Sequence, residues 1–172
     1  MVPVSIILHH KANNRDGERV DYMANISELV NGLKNSNHKE AYRCLKQLEN
    51  ESSLSSEVYP FFNVFAELLS SPNSYLRTRG IVLIAVNAKW DTDNKIDEII
   101  DSYLKHIADE KPITARQCIQ ALPTIAIYKP ELKEDIKNAL LRANPGRYAE
   151  SMQPPVQKDI QKALIQIDNL NH

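Results

Sequence analysis

At 172 residues, with 42% apolar and 25% charged side chains, the chain has the size and composition of one globular domain with a substantial core. Its 21 basic residues are offset by 22 acidic ones, and both signs are interleaved from end to end, which argues against nucleic-acid binding. The longest apolar run, Ile81 to Val86, is far short of the roughly 20 residues that span a bilayer.

Residues 1 to about 24 lack a helical period and read as a mobile N-terminal tail. An extended Val4–Leu8 run is one alternative, and a true start at Met23 is another. The opening Met-Val-Pro-Val-Ser-Ile-Ile-Leu has no basic stretch and no small-residue cleavage site, so a secretory leader is not expected. The adjacent His9 and His10 lack a third fixed ligand and make a poor metal site.

From Asn25 the 3.6-residue period takes over, so the repeat domain is read as 25–172. Ile26, Leu29, Val30 and Leu33 mark a first short helix. Asn37 with Glu40 is a capping-box pattern that opens a second, carrying Ala41, Leu45 and Leu48. The polar stretch Asn50–Ser56 predicts a break. A third helix follows with Val58, Phe61, Phe62, Phe65, Leu68 and Leu69, Pro60 being tolerated in its first turn. Ser70–Asn73 predicts a turn that caps the next helix, whose Gly80–Val86 segment has no polar side chain. A helix apolar nearly all round needs neighbours on more than one side.

Beyond Trp90, Asp91–Asn94 offers caps for a helix striped by Ile96, Ile99, Ile100, Tyr103, Leu104 and Ile107. Pro112 opens another, in which Pro123 predicts a kink. Pro130 begins a further helix, Asn144-Pro-Gly146 predicts a turn, and a last helix follows Pro154-Pro155. No convincing strand appears, and the four glycines form no phosphate-binding pattern.

The helices pair off, and the pairs recur. Arg43, Arg79 and Arg116 occupy equivalent places in successive second helices, 36 and 37 residues apart, each followed by apolar residues two and five positions on. Lys158 fits a fourth copy after a longer connection. A period near 37 residues signals a solenoid, because one helix pair cannot cover both of its own faces. At this point the chain resembles HEAT-type repeats. The resemblance rests on Ser70-Ser-Pro-Asn-Ser74 followed by Leu76-Arg77, and on Asp109-Glu-Lys-Pro112 followed by Ala115-Arg116. It implies an all-α, right-handed superhelix of about four helix pairs. The chain is also similar to small bacterial HEAT-like proteins, some of which carry an iron–sulfur assembly (SufBD) label.

Such repeats imply a ladder of second-helix arginines, here Arg79 and Arg116, paired with interhelical turns and reaching Asp109. In the alternative reading, Arg43, Arg77 or Arg116 faces the concave surface and grips an acidic partner. Trp90 either plugs the gap between repeats or anchors an interface. Glu131, Glu134 and Asp135 suit the first turns of a helix better than acid–base work. Cys44 and Cys118 read as reduced, buried small hydrophobes, which suits the cytoplasm.

The expected function is that of a non-catalytic scaffold presenting a concave helical surface to a protein partner, with no cofactor. Nucleic-acid binding, by analogy with HEAT-like DNA glycosylases, is the alternative that the charge balance disfavours. An iron–sulfur assembly role is the second alternative; cluster chemistry wants several convergent cysteines, and the chain has two.

Overall fold

The computed structural model describes residues 25–171 and, before them, Gly17, Arg19 and Met23, each of which is helical. The expected Val4–Leu8 run, His9 and His10 lie outside the described residues. All the regular structure described is helical, as the periodicity predicts. Helix α1 covers residues 25–32 and α2 covers His38–Leu54. Helices α3 (Phe62–Leu68), α4 (Ser74–Val86), α5 (Lys95–Leu104), α6 (Pro112–Tyr128), α7 (Lys133–Leu141) and α8 (Gln153–Asp168) follow. Short 3-10 segments join several of them. No helix among the described residues is long and apolar enough to cross a membrane.

The chain divides into two compact units, Met1–Leu48 and Glu49–His172, and the division falls inside α2. In the first unit the expected stripes are buried: Ile26, Val30 and Leu33 on α1, then Ala41, Cys44, Leu45 and Leu48 on α2. Gly32 lies directly against the Cys44 side chain. Asn37 caps α2 through Oδ1, which accepts from the N–H groups of Lys39 (3.0 Å) and Glu40 (3.4 Å). The return half of the expected capping box is absent. The Asn37 N–H instead donates to Asn35 Oδ1, and Glu40 pairs with Arg43.

Helix α2 does not stop at the polar stretch; it continues through Asn50-Glu-Ser-Ser to Leu54. Ser53 Oγ donates back to the Asn50 carbonyl at 2.6 Å, a local bond compatible with helix. Ser52 is fully buried, and its hydroxyl accepts from Asn87 Nδ2 at 3.1 Å. Tertiary partners hold as helix a segment whose composition reads as loop.

In the second unit α6 lies between α4 and α8, and α3 packs on α4. The α3–α4 approach is close because position 80 is glycine: a Cβ there would sit 2.6 Å from the Phe65 carbonyl oxygen. On α4, Ile81, Leu83, Ile84 and Ala85 are buried, whereas Val82 and Val86 stay partly open. The core continues through Phe62, Phe65, Ile96, Tyr103, Ile119, Leu122 and Ile160. Helix α6 continues through the buried Pro123 to Tyr128. Tyr103 is fully buried, with its hydroxyl donating to the Ile81 carbonyl at 2.9 Å. Burial pushes that phenol well above its ordinary pKa.

Local chemistry sets the helix starts. Asn73 Oδ1 accepts from the Tyr75 N–H and caps α4. Helix α5 is capped from four residues back, where Asp91 accepts from the N–H groups of Lys95 (2.8 Å) and Ile96 (3.1 Å). Asn94, just before α5, takes the left-handed conformation with φ 56°.

Candidate functional site

The arginines separate into different environments. Arg77, read from sequence as free to face a partner, is only 7% exposed and forms a buried clamp. Its Nε and Nη2 donate to Asp109 Oδ2 and Oδ1 at 2.8 and 2.7 Å. Its Nη1 donates to the carbonyls of Ser71 (3.0 Å) and Pro72 (3.1 Å). The pairing with Asp109 expected of Arg79 therefore belongs to Arg77, two residues earlier. Helical side chains lean toward their own N-terminus, so Arg77, in the first turn of α4, reaches the turn regions preceding α4 and α6.

Asp109 is saturated. It also accepts from the Lys111 N–H at 2.9 Å, and His106 Nδ1 lies 2.8 Å from Oδ2. A carboxylate only accepts, so Nδ1 carries the proton there. Burial works against the Asp109 charge, but the bonds from Arg77, the Lys111 N–H and His106 outweigh it and hold the carboxyl at about 2. The Tyr148 hydroxyl donates to the Asp109 carbonyl at 2.7 Å, tying the turn before α6 to the connection before α8.

Arg79 is also buried, with its guanidinium 6.0 Å from the Tyr75 ring centroid. Arg116 is half-buried, and its Nε donates to Asp159 Oδ2 at 2.6 Å. Arg43 is exposed and paired with Glu40 at 2.9 Å on its own helix. Trp90 is half-buried: Nε1 donates to the Ser52 carbonyl at 2.7 Å, and Lys89 Nζ lies 4.6 Å from its ring centroid. It joins the end of α4's continuation to the end of α2.

A second polar cluster gave no warning in the sequence. Lys129 is 3% exposed and sits among acceptors, with Nζ 2.6 Å from Asn94 Oδ1 and from Asp97 Oδ2. Glu131 at 3.1 Å and Asp91 at 3.5 Å complete the cage. Burial opposes the lysine's charge, but Asp97, Glu131 and Asp91 more than offset it and raise the pKa. Asp91 also accepts from the Tyr59 hydroxyl at 2.7 Å. The first-turn carboxylates Glu134 and Asp135 of α7 are exposed, as their helix-start reading requires.

A shallow trough runs across α4, α6 and α8. One hollow of about 170 Å³ is lined by Glu49 of α2, by Val82 and Val86 of α4 and by Gln117, Ala121 and Thr124 of α6. A second of about 190 Å³ is lined by Asp159, Lys162 and Gln166 of α8. The two meet at Gln120 on α6, whose Nε2 donates to Asp159 Oδ2 at 3.1 Å. Arg116 shares that carboxylate oxygen. Arg116 itself lines neither hollow; it is tied to the trough only through Asp159. The spacing of Gln117 and Gln120 marks no chemistry; the signal that finds them is their place on the open side of α6, opposite its buried Cys118, Ile119 and Leu122.

Among the described residues no group of three His, Cys, Asp or Glu side chains is placed to hold a metal ion. Cys44 and Cys118 are free and buried, and burial pushes the Cys118 thiol far up from its ordinary pKa. No protein-family model matches the chain, and no curated protein matches it.

Proposed function

We propose that the chain is a HEAT-like, right-handed helical solenoid acting as a non-catalytic interaction module, and that the trough over α4, α6 and α8 receives an extended segment of a protein partner. The repeat reading is supported by residues about one period apart that bond to each other. Thr78 and Thr114 hydroxyls lie 3.0 Å apart at a separation of 36 residues. Lys89 Nζ donates to the Ser53 carbonyl at 2.6 Å, again 36 residues away. Lys89 and Ser53 match the 36-residue step from Arg43 to Arg79, whereas Thr78 and Thr114 fall one residue short of the 37-residue step from Arg79 to Arg116; contacts about one period apart are what stacked copies of one unit would make.

The trough carries the functional reading. It is lined by amides, a hydroxyl and apolar side chains, with Glu49 in one hollow and Asp159 and Lys162 in the other. Glutamine presents both a donor and an acceptor, the same pair that each peptide group offers. Such a lining suits a polypeptide backbone better than a phosphate backbone, which calls for a run of cations. Of the earlier partner-binding candidates, Arg116 holds the trough carboxylate Asp159 without lining the trough, and Arg43 lies on an exposed helix face; Arg77 and Trp90 serve packing. Free buried thiols suit action in a reducing, cytoplasmic setting.

The test is affinity capture at physiological salt with the wild-type chain and Ala121→Arg, which fills the trough from a partly exposed position. A partner captured by the wild type and lost with Ala121→Arg is expected. A partner retained by both, or affinity for single-stranded or duplex DNA that falls steeply with salt, counts against the proposal.

A further inference from the structure

A larger cleft lies elsewhere in the second unit, between α5 with its 3-10 continuation and the C-terminal end of α7. It has a volume of about 640 Å³. Leu104, Ala139 and Ala143, all partly open, give it an apolar floor. Three exposed cations stand around it: Lys105, Arg142 and Arg147. Lys105 and Arg142 have no ion-pair partner among the described residues, and Arg147 lies 5.7 Å from the Tyr148 ring centroid. Asp101 is the single carboxylate on the lining. The local excess of positive charge stands out against a chain whose net charge is -1.

We propose that this cleft docks an acidic amphipathic helix of a partner protein. Apolar side chains at helical spacing would cover the Leu104–Ala139 floor, and flanking carboxylates would meet Lys105, Arg142 and Arg147. The arginine forks accept carboxylates in bidentate fashion, which sets the register of the bound helix. The floor decides between classes of ligand. A nucleic-acid strand gains little from aliphatic side chains and binds through cations with aromatic stacking, and no aromatic residue lines this cleft. Peptide supplies both the apolar and the acidic element. The site shares no lining residue with the trough, so either surface stands or falls without the other.

The experiment uses the full chain and a fluorescein-labelled 14-residue helical peptide with leucines at i, i+4, i+7 and i+11 and glutamates flanking them. Its companions are a scrambled peptide of identical composition, a version with lysine replacing glutamate, and a 12-nucleotide oligothymidylate. The expected result is saturable binding of the acidic helix, weakened at least tenfold by Arg142→Glu with Arg147→Glu and by Ala139→Trp. Ala121→Arg and the surface control Lys158→Glu leave it unchanged. Equal binding of the scrambled or lysine peptide, indifference to the Arg142/Arg147 reversal, or tighter binding of oligothymidylate overturns the assignment.

Discussion

Arg77 and Asp109 join through two parallel hydrogen bonds of 2.8 and 2.7 Å, linking the turns that precede α4 and α6. Both side chains are almost wholly removed from solvent. Removing either partner strands a buried charge, so Arg77→Ala and Asp109→Ala are each expected to cost about 3–5 kcal/mol. Combining Arg77→Met with Asp109→Leu removes both charges and is expected to be more stable than Asp109→Ala alone. Urea unfolding followed by circular dichroism measures all three, and a double variant no more stable than Asp109→Ala would remove the pair from the account of stability.

The same carboxylate gives the fold an acid limit. Its folded pKa, about 2, lies below the 3.8 of an unperturbed aspartate, so the unfolded chain takes up the proton first. The stabilisation is complete well above pH 3.8 and drains away as pH falls from there through about 2. The gap corresponds to roughly 2 kcal/mol. Denaturation midpoints measured from pH 6 down to pH 2 should fall across this window. The Asp109→Asn chain, destabilised at the outset, should show a shallower decline.

The helical periods, the α4 cap and the turn at Asn144–Gly146 were legible because each depends on a few adjacent residues. The extension of α2 through Ser52 and Ser53 was not. Its cause is tertiary: Asn87, Lys89 and Trp90 bond to those serines from 35, 36 and 38 residues away. Arginine spacing pointed to an ionic ladder at Arg79 and Arg116; Arg116 does meet Asp159, but the bonds to Asp109 come from Arg77, two residues before Arg79. Periodicity fixes which residues share a face, and only the lean of the side chain selects the one that reaches the turn. The trough glutamines and the Lys129 cage carried no motif. Both are assembled from separate helices and turns, a relation that no local pattern encodes.

Glycine 80 sets how closely α3 and α4 approach. The Cβ of Gly80→Ala would meet the Phe65 carbonyl at 2.6 Å and Leu68 Cβ at 2.9 Å, and neither is the free end of a flexible side chain. Alanine favours an isolated helix by about 1 kcal/mol. Forcing two packed helices apart costs more, about 1–3 kcal/mol, so the net change is destabilising. A thermal midpoint for Gly80→Ala at or above that of the wild type would show that the α3–α4 approach is not limited by this contact.

Lys129 makes the sharpest case for a single buried charge organising a turn. Its ammonium holds Asn94 in the left-handed conformation at the start of α5 and neutralises Asp97 and the fully buried Asp91 carboxylate. Lys129→Met keeps the length and apolar stem but leaves those carboxylates facing one another, which is expected to cost about 3–5 kcal/mol. Lys129→Arg should not restore the wild-type value, because a planar fork cannot fill a cage built around a compact ammonium. Asn94→Gly tolerates the positive φ and loses one bond to a charged group, so its cost should be nearer 1–2 kcal/mol. The order Met, then Gly, then wild type in chemical denaturation is therefore the expected result. If Lys129→Met unfolds at the wild-type midpoint, the cage contributes nothing net, and the geometry of the turn must rest on the Asp91 cap of α5 alone.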